Sequence, residues 1–360
     1  MSSWRHSPTT GDTEMRYNRL GTTGLFVSEL SLGSMTFGIP EAKYAAAGGL
    51  DQAQVDALVR RAYDAGINLI DTANVYSNGQ SEAMIGRALQ RHGIARHEVV
   101  LATKAAHATG AGPNDAGTSR HHLMHQVKQS LKRLGTDHID LYQLHGWDPA
   151  TPIEETLRAL DDLVRQGHVR YVGVSNWAAW QAARALGIAE RLNLTRPQVY
   201  QGYYSLAGRD AERELVPLLA AEQMALLVFS PLAGGYLTGK YRQGQQAGRR
   251  ATVPFPPVDE ARGEGLLAVM DEVASTHGST LEAVALAWLR QQPVVTSIVL
   301  GVTSVQQLDA NLLASDVTLS ADALAALDQA SALPPEYPGW MIANGSAARD
   351  ALLATGMLPG

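Results

Sequence analysis

The 360-residue sequence contains no cysteine. That excludes disulfides, thiolate nucleophiles and cysteine-ligated metal or iron–sulfur centres, and it points to a reducing, cytoplasmic setting. No uninterrupted apolar window approaches the roughly 18 residues of a transmembrane helix, so no membrane association is expected. A basic patch is missing as well. The 29 Lys and Arg are interleaved with 35 Asp and Glu, for a net charge of −6, which gives no footprint for nucleic acid. The opening stretch MSSWRHSPTTGDTE, residues 1–14, has no apolar core of signal-peptide type and reads as a flexible tail. Low-complexity tracts are absent, and nothing in the pattern specifies an oligomeric state.

What is present is a 45% apolar content arranged in short runs. SELSLG (28–33), NLID (68–71), EVVLATK (98–104), HIDLYQLH (138–145), VRYVGVSN (169–176), PQVYQGYY (197–204), ALLVFSPL (225–232) and VTSIVLG (295–301) are nearly continuous in apolar character, as strands buried on both faces should be. Segments of helical period separate them. DQAQVDALVRRAYDAG sets Val55, Leu58, Val59 and Ala62 on one face; SRHHLMHQVKQSLKRLG and TPIEETLRALDDLVRQG behave alike. In the last, Thr151, Pro152 and Glu154 spell a capping box. Strands alternating with helices at a spacing of about 30 residues imply right-handed βαβ units. Eight of them predict a single α/β domain over residues 15–360, a (β/α)8 TIM barrel, with RYNRLGTTGLFVS as an N-terminal capping hairpin and long excursions after the seventh strand and at the C-terminus.

The active site of such a barrel gathers where its strands end. Strand two ends in Asp71, strand three in Lys104 and strand four in His145, and Tyr76 lies in the loop after strand two. Singly, a Lys or His at a strand end is commonly a solvated or structural group; together the four form a titratable cluster at one pole. A nearby ammonium favours a phenolate, an aspartate can balance the ammonium, and a histidine can orient a substrate oxygen. This is a proton donor for a carbonyl oxygen that becomes an alkoxide, and it needs a hydride source. His121 and His125 are four apart, but the pattern is not H-E-x-x-H, so no metal is expected. GSMTFG lacks dinucleotide-fingerprint spacing, and GGYLTGKY lacks the P-loop Ser or Thr.

The stretches LIDTANVYSNGQSE, LATK, SLKRLGTDHIDLYQLH, GHVRYVGVSN, FSPLAGGYLTGKY and GVTSVQQLDANL, in that order, resemble the aldo-keto reductases, and in the long loop the branch that includes the potassium-channel β subunits. The resemblance implies a catalytic tetrad of Asp71, Tyr76, Lys104 and His145, with Tyr76 as proton donor, and a nicotinamide dinucleotide across the barrel mouth. It places Gly33, Met35, Thr36 and Asp71 near the nicotinamide end, and Ser175, Asn176 and Gln201 at the carboxamide. Phe229 would stack on the ring, and Ser230, Pro231, Leu232 and Gly234 would surround the pyrophosphate. Lys240 and Arg250, with Arg249 beside it, Gly301, Thr303, Gln307 and Asn311 would meet the adenosine end. The two cations favour NADP(H), with NAD(H) open. Trp147 and Trp340 are candidate walls for a small carbonyl or alcohol substrate. The implied activity is NADPH-dependent carbonyl reduction or its reverse; a channel-β type regulatory subunit with little turnover is the alternative.

Overall fold

The structure is a computed structural model and describes residues 15–39, 49–242, 250 and 253–345. The expected tail, Arg249 and the last fifteen residues of the C-terminal excursion lie outside the described residues. A ribbon of β1 (Tyr17–Arg19) and β2 (Phe26–Ser28) comes first. The chain then runs β3 (Leu30–Gly33), α1 (Gln52–Asp64), β4 (Leu69–Asp71), α2 (Gln80–Arg91), β5 (Val100–Ala105), α3 (Arg120–Leu134), β6 (Ile139–Leu144), α4 (Ile153–Arg165), β7 (Val169–Ser175), α5 (Ala179–Arg191), β8 (Val199–Tyr203), α6 (Leu215–Ala221) and β9 (Ala225–Phe229). It finishes with α7 (Glu260–Thr276), α8 (Leu281–Arg290), β10 (Val295–Gly301), α9 (Val305–Leu312) and α10 (Ala321–Ser331). Strands β3 to β10 pair in parallel, and β10 returns to β3, closing an eight-stranded barrel. The sequence-based architecture holds, hairpin included.

Local chemistry explains the element starts. Asp51 accepts from the Gln54 backbone N–H at 2.9 Å, and the Gln54 side chain accepts from the Asp51 N–H at 2.9 Å, so α1 opens on a reciprocal cap. The expected box at Thr151 does not form. Helix α4 starts one residue later, and the Thr151 hydroxyl donates to Asp148 Oδ2 at 2.6 Å. Asp148 also accepts from the N–H groups of Thr118 (2.7 Å) and Ala150 (2.9 Å). A carboxylate is a stronger acceptor than a backbone carbonyl or a capping partner, and it claims the hydroxyl.

Alternation along the strands builds two cores. Leu32, Ile70, Leu101 and Val172 point outward and pack against the helices. Leu69, Val100, Ala102, Leu141, Val199, Ala225, Leu227 and Val299 point into the barrel, where Leu20 and Val27 of the hairpin join them, both fully buried. Each buried Leu or Val among them contributes about 1.5–3 kcal/mol. Three side chains stitch the hairpin to the strand starts. Asn68 accepts from the Ser28 N–H (2.8 Å) and donates to Phe26 O (3.0 Å), Gln198 accepts from the Thr22 hydroxyl (2.7 Å), and Asn18 donates to Thr296 O (2.8 Å). This end of the barrel is thereby shut, and any chemistry is left to the other.

Candidate active site

In register above the apolar layers, the barrel interior turns polar. Asp71 lies beside Gly33 and Ala102, Lys104 beside Gln143, Gln143 beside Gly173, and Ser175 beside Gln201. Gly173 is the residue that makes room. A Cβ there would sit 2.9 Å from Val199 O and 3.3 Å from the Gln143 Cγ.

The buried Lys104 ammonium donates to Asp71 Oδ2 at 2.5 Å and to Thr72 O at 2.9 Å, and lies 3.5 Å from the Tyr76 hydroxyl. Desolvation alone would push the Lys104 pKa down. The Asp71 carboxylate and Tyr76 act in the opposite direction and carry it above its ordinary value, so the ammonium persists at neutral pH. Asp71 Oδ1 accepts from Gln201 Nε2 at 2.8 Å and from Gln143 Nε2 at 3.2 Å. One carboxylate therefore gathers three donors from three strands. The His145 ring stands edge-on to Tyr76, with centroids 5.7 Å apart. Burial, then the Lys104 ammonium, then His107 hold His145 well below the usual imidazole pKa, so its ring is neutral near pH 7. Its Nδ1 is buried and makes no hydrogen bond. The four side chains expected to meet do meet: a charged lysine, a carboxylate balancing it, a phenol within reach of the ammonium and a neutral imidazole facing the phenol.

Two groups escaped the sequence reading. Gln143, in IDLYQL, passes for strand filler, yet its phase puts it on the same inward face as His145 two positions on; its Oε1 is buried with no partner. Exposed His107, two residues past β5, packs against His145 with ring centroids 4.4 Å apart and the planes tilted by 50°. Nothing in the sequence alone marks it.

The remaining candidates fall into three groups around the mouth. Thr36 donates its hydroxyl to Val302 O at 2.8 Å, tying the β3 loop, with half-buried Met35, to the β10 loop. Asn176, at φ +58°, donates to Ser175 Oγ (3.0 Å) and His145 O (3.2 Å). Gln201, expected at a ligand carboxamide, spends its amide nitrogen on Asp71. Phe229 ends β9, 6.1 Å from the Tyr203 ring. Beyond it Ser230, Ala233, Gly234 and Gly235 all take left-handed backbone, with Pro231 and Leu232 between. Such conformations cost about 1–3 kcal/mol for residues other than glycine and persist where the surroundings impose them. Arg250 donates to Ala233 O (3.3 Å) and Pro256 O (2.5 Å), and exposed Lys240 lies over the Tyr241 ring (5.2 Å). Gly301 ends β10; Gln307 Oε1 accepts from both the N–H and the hydroxyl of Thr303 at 2.9 Å; Asn311 is buried on α9. Trp147 packs edge-on against Trp177 (4.8 Å) and faces Trp180 (5.9 Å). Trp340 is 46% exposed and packs against Tyr337 (6.1 Å) in the C-terminal segment, which the Arg213–Glu336 ion pair (2.7 Å) anchors. No group of three or more His, Asp or Glu capable of holding a metal occurs among the described residues. No helix among them is long and apolar enough to cross a membrane.

Comparison with known proteins matches residues 29–332 to the model of the Aldo/keto reductase family. A probable voltage-gated potassium channel subunit beta of Arabidopsis thaliana is 38% identical over 315 residues, covering 84% of this chain and 92% of the relative. Aldo-keto reductase AFTS1 of Alternaria alternata is 34% identical, over 88% of this chain and 93% of the relative. Versiconal hemiacetal acetate reductase of Aspergillus parasiticus is 31% identical, over 90% and 99%.

Proposed function

Because the chain belongs to the aldo/keto reductase family, a family of oxidoreductases, we propose that it reduces an aldehyde or ketone with NADPH, or oxidises the corresponding alcohol, and that Tyr76 exchanges the proton. The observation that carries this is the Tyr76 hydroxyl lying 3.5 Å from a buried ammonium that is itself held by Asp71.

The donor set suits a nicotinamide dinucleotide. Ser175 and Asn176 form a hydroxyl–amide pair at the mouth, Phe229 offers a half-exposed ring, and the loop of Ser230 to Gly235, left-handed at four positions, lies beside Lys240 and Arg250. Ser175, Asn176 and the carbonyl of Gln201 would hold the carboxamide, Phe229 the ring, residues 230–234 the pyrophosphate, and Lys240 and Arg250 a 2′-phosphate. When bound, NADPH supplies the hydride. The residues of the chain do the rest. The neutral imidazole of His145 orients the substrate oxygen without competing for its proton. Tyr76 gives its proton to that oxygen as negative charge develops there. The Lys104 ammonium stabilises the charge left on the phenol oxygen, and Asp71 keeps that ammonium in place. In the oxidation direction the same groups act in reverse.

A purely regulatory role, of the kind the name of the plant relative suggests, needs no proton donor, and the assembled tetrad favours turnover. Assaying NADPH oxidation with a panel of aldehydes and ketones tests this. Tyr76→Phe should cut kcat by about 10²–10⁴-fold while NADPH binding survives; wild-type turnover in that variant would remove Tyr76 as the acid. Tighter binding of NADH than of NADPH would overturn the cofactor assignment.

A further inference from the structure

The segment carrying Tyr76 continues through three successive left-handed residues, Ser77 (φ +47°), Asn78 (φ +54°) and Gly79 (φ +84°). Two of them bear side chains, which enter this region only at a cost, so an outside contact must hold the turn. One hold is the Ser77 hydroxyl donating to Phe37 O at 2.8 Å; the contacts on either side of the turn come from α3. Polar residues of an outer helix ordinarily face water. Here His122, Gln126, Ser130 and Arg133, spaced four, four and three apart, form one stripe turned toward the barrel; the first three are buried, and the Arg133 side chain is 25% exposed.

The stripe grips the Tyr76 segment on both sides. Before the tyrosine, Asn74 Nδ2 donates to Gln126 Oε1 at 2.9 Å, and Gln126 Nε2 donates to Thr109 Oγ1 at 3.0 Å. After it, Arg133 Nε donates to Glu82 Oε2 at 2.6 Å, and the arginine side chain lies across Gly79, where a Cβ would come within 2.6 Å of Cδ and 2.8 Å of Nε. Glu82 is fully buried. Its other oxygen accepts from the Thr103 hydroxyl at 2.6 Å, one residue before Lys104. The same ion pair thus braces the loop of the phenol and the strand of the ammonium.

We propose that Gln126 and Arg133 are positioning residues for Tyr76, pinning the two ends of its turn from outside the barrel and so setting its distance to Lys104. The inference rests on the reading of Tyr76 as proton donor. The titratable groups around the phenol are Lys104, Asp71 and His145, with His107 behind His145, and the substitutions below alter none of them.

The experiment measures kcat, NADPH affinity, Tm and the pH profile of kcat/KM for Gln126→Leu, Arg133→Lys and the pair Glu82→Gln/Arg133→Met, which removes both charges so that neither is left buried alone. The control is Arg120→Met, which breaks the ion pair of α3 with Asp162 on α4 instead. Each test variant should lose roughly ten- to a hundred-fold in kcat with NADPH affinity retained. Its alkaline limb should move to higher pH as the phenol loses the help of the ammonium. Arg120→Met should match wild type. A lowered Tm with wild-type kcat and an unmoved pH profile would make the stripe structural only and overturn the proposal. If the pair variant does not fold, Gln126→Leu and Arg133→Lys, which strand no buried charge, decide alone. Tyr76→Phe in parallel separates the two ideas. Full turnover there sinks the proton-donor reading itself, whereas a dead Tyr76→Phe beside wild-type Gln126→Leu and Arg133→Lys sinks the positioning alone.

Discussion

The two ends of the barrel are built from the same strands and solved by opposite means. At the amino-terminal end, Leu20 and Val27 of the hairpin sit on Leu69, Val100 and Leu141, and the polar neighbours Asn68, Gln198 and Asn18 are spent on hairpin or strand-start hydrogen bonds. At the carboxyl end, the next inward positions are Asp71, Lys104, Gln143 and Gln201, with Gln143 Oε1 and His145 Nδ1 left buried without partners. Backbone conformation divides in the same way. Of the eight residues other than glycine with positive φ among the described residues, six border the mouth (Ser77, Asn78, Ala106, Asn176, Ser230 and Ala233), and Asn193 and Gln223 lie in the turns leading into strands at the other end. Inside the barrel, the amino-terminal end is filled by apolar side chains, whereas the mouth holds charge, unmet polar atoms and costly backbone in place. The pairing at the mouth is what a site gains from a rigid scaffold beneath it.

Substitutions should therefore separate cohesion from chemistry. The largest effect is expected for Lys104→Met, which leaves the Asp71 carboxylate buried with only Gln143 and Gln201 as donors. It should cost about 3–5 kcal/mol of stability and abolish turnover together, read by denaturant unfolding and steady-state assay. A folded, active Lys104→Met would mean that the mouth does not depend on its ammonium. Next comes the floor. Leu20→Ala opens a cavity under the barrel and should cost about 3 kcal/mol, yet kcat of the folded fraction should stay at the wild-type level. A kcat that falls in proportion would show the two ends to be coupled.

Smaller is Gln143→Leu. It deletes one of the three donors to Asp71 and also an orphaned acceptor, so the two costs partly cancel; about 1 kcal/mol or less in stability is expected. The activity readout carries more information. A freer Asp71 should loosen Lys104 and lower kcat several-fold at unchanged NADPH affinity. No change would leave Gln201 and Lys104 as the only partners that matter to the carboxylate.

Much of this contrast was legible in the sequence, and the parts that were not share a cause. The eight apolar runs fix the strands because a parallel barrel buries both strand faces, and a charged or polar residue ending such a run stands out, as Asp71, Lys104 and His145 do. Gln143 and Gln126 are hidden for the converse reason. A glutamine within a strand or on a helix carries no charge and fits many solvated positions, so only its register reveals what it touches. The Thr151 cap failed because its competitor, Asp148, also holds Thr118, thirty positions back in the chain. Ligand roles for Lys240, Arg250 and Trp340 depend on loops, whose shape no periodicity encodes.

An effect of similar small size concerns pH, and it too falls on the mouth side of the molecule. Burial holds His145 well below the ordinary imidazole value, and His122, which braces the mouth loop through Asn114 O, is lowered for the same leading reason. Above about pH 6.5 both are neutral folded or unfolded and cost nothing. As pH falls below 6.5 the unfolded chain takes up protons that the folded protein refuses, so stability drops; each group still unprotonated in the folded state costs about 1 kcal/mol between pH 6.5 and 5.5. The comparison that isolates it is the difference in unfolding free energy between wild type and His145→Gln across that interval. The wild type should lose the larger amount, by about 1 kcal/mol, while Leu20→Ala, weakened only at the floor, should keep the wild-type pH slope. If His145→Gln keeps that slope as well, the imidazole takes up its proton as readily in the folded mouth as in the unfolded chain, and burial does not hold it neutral below pH 6.5.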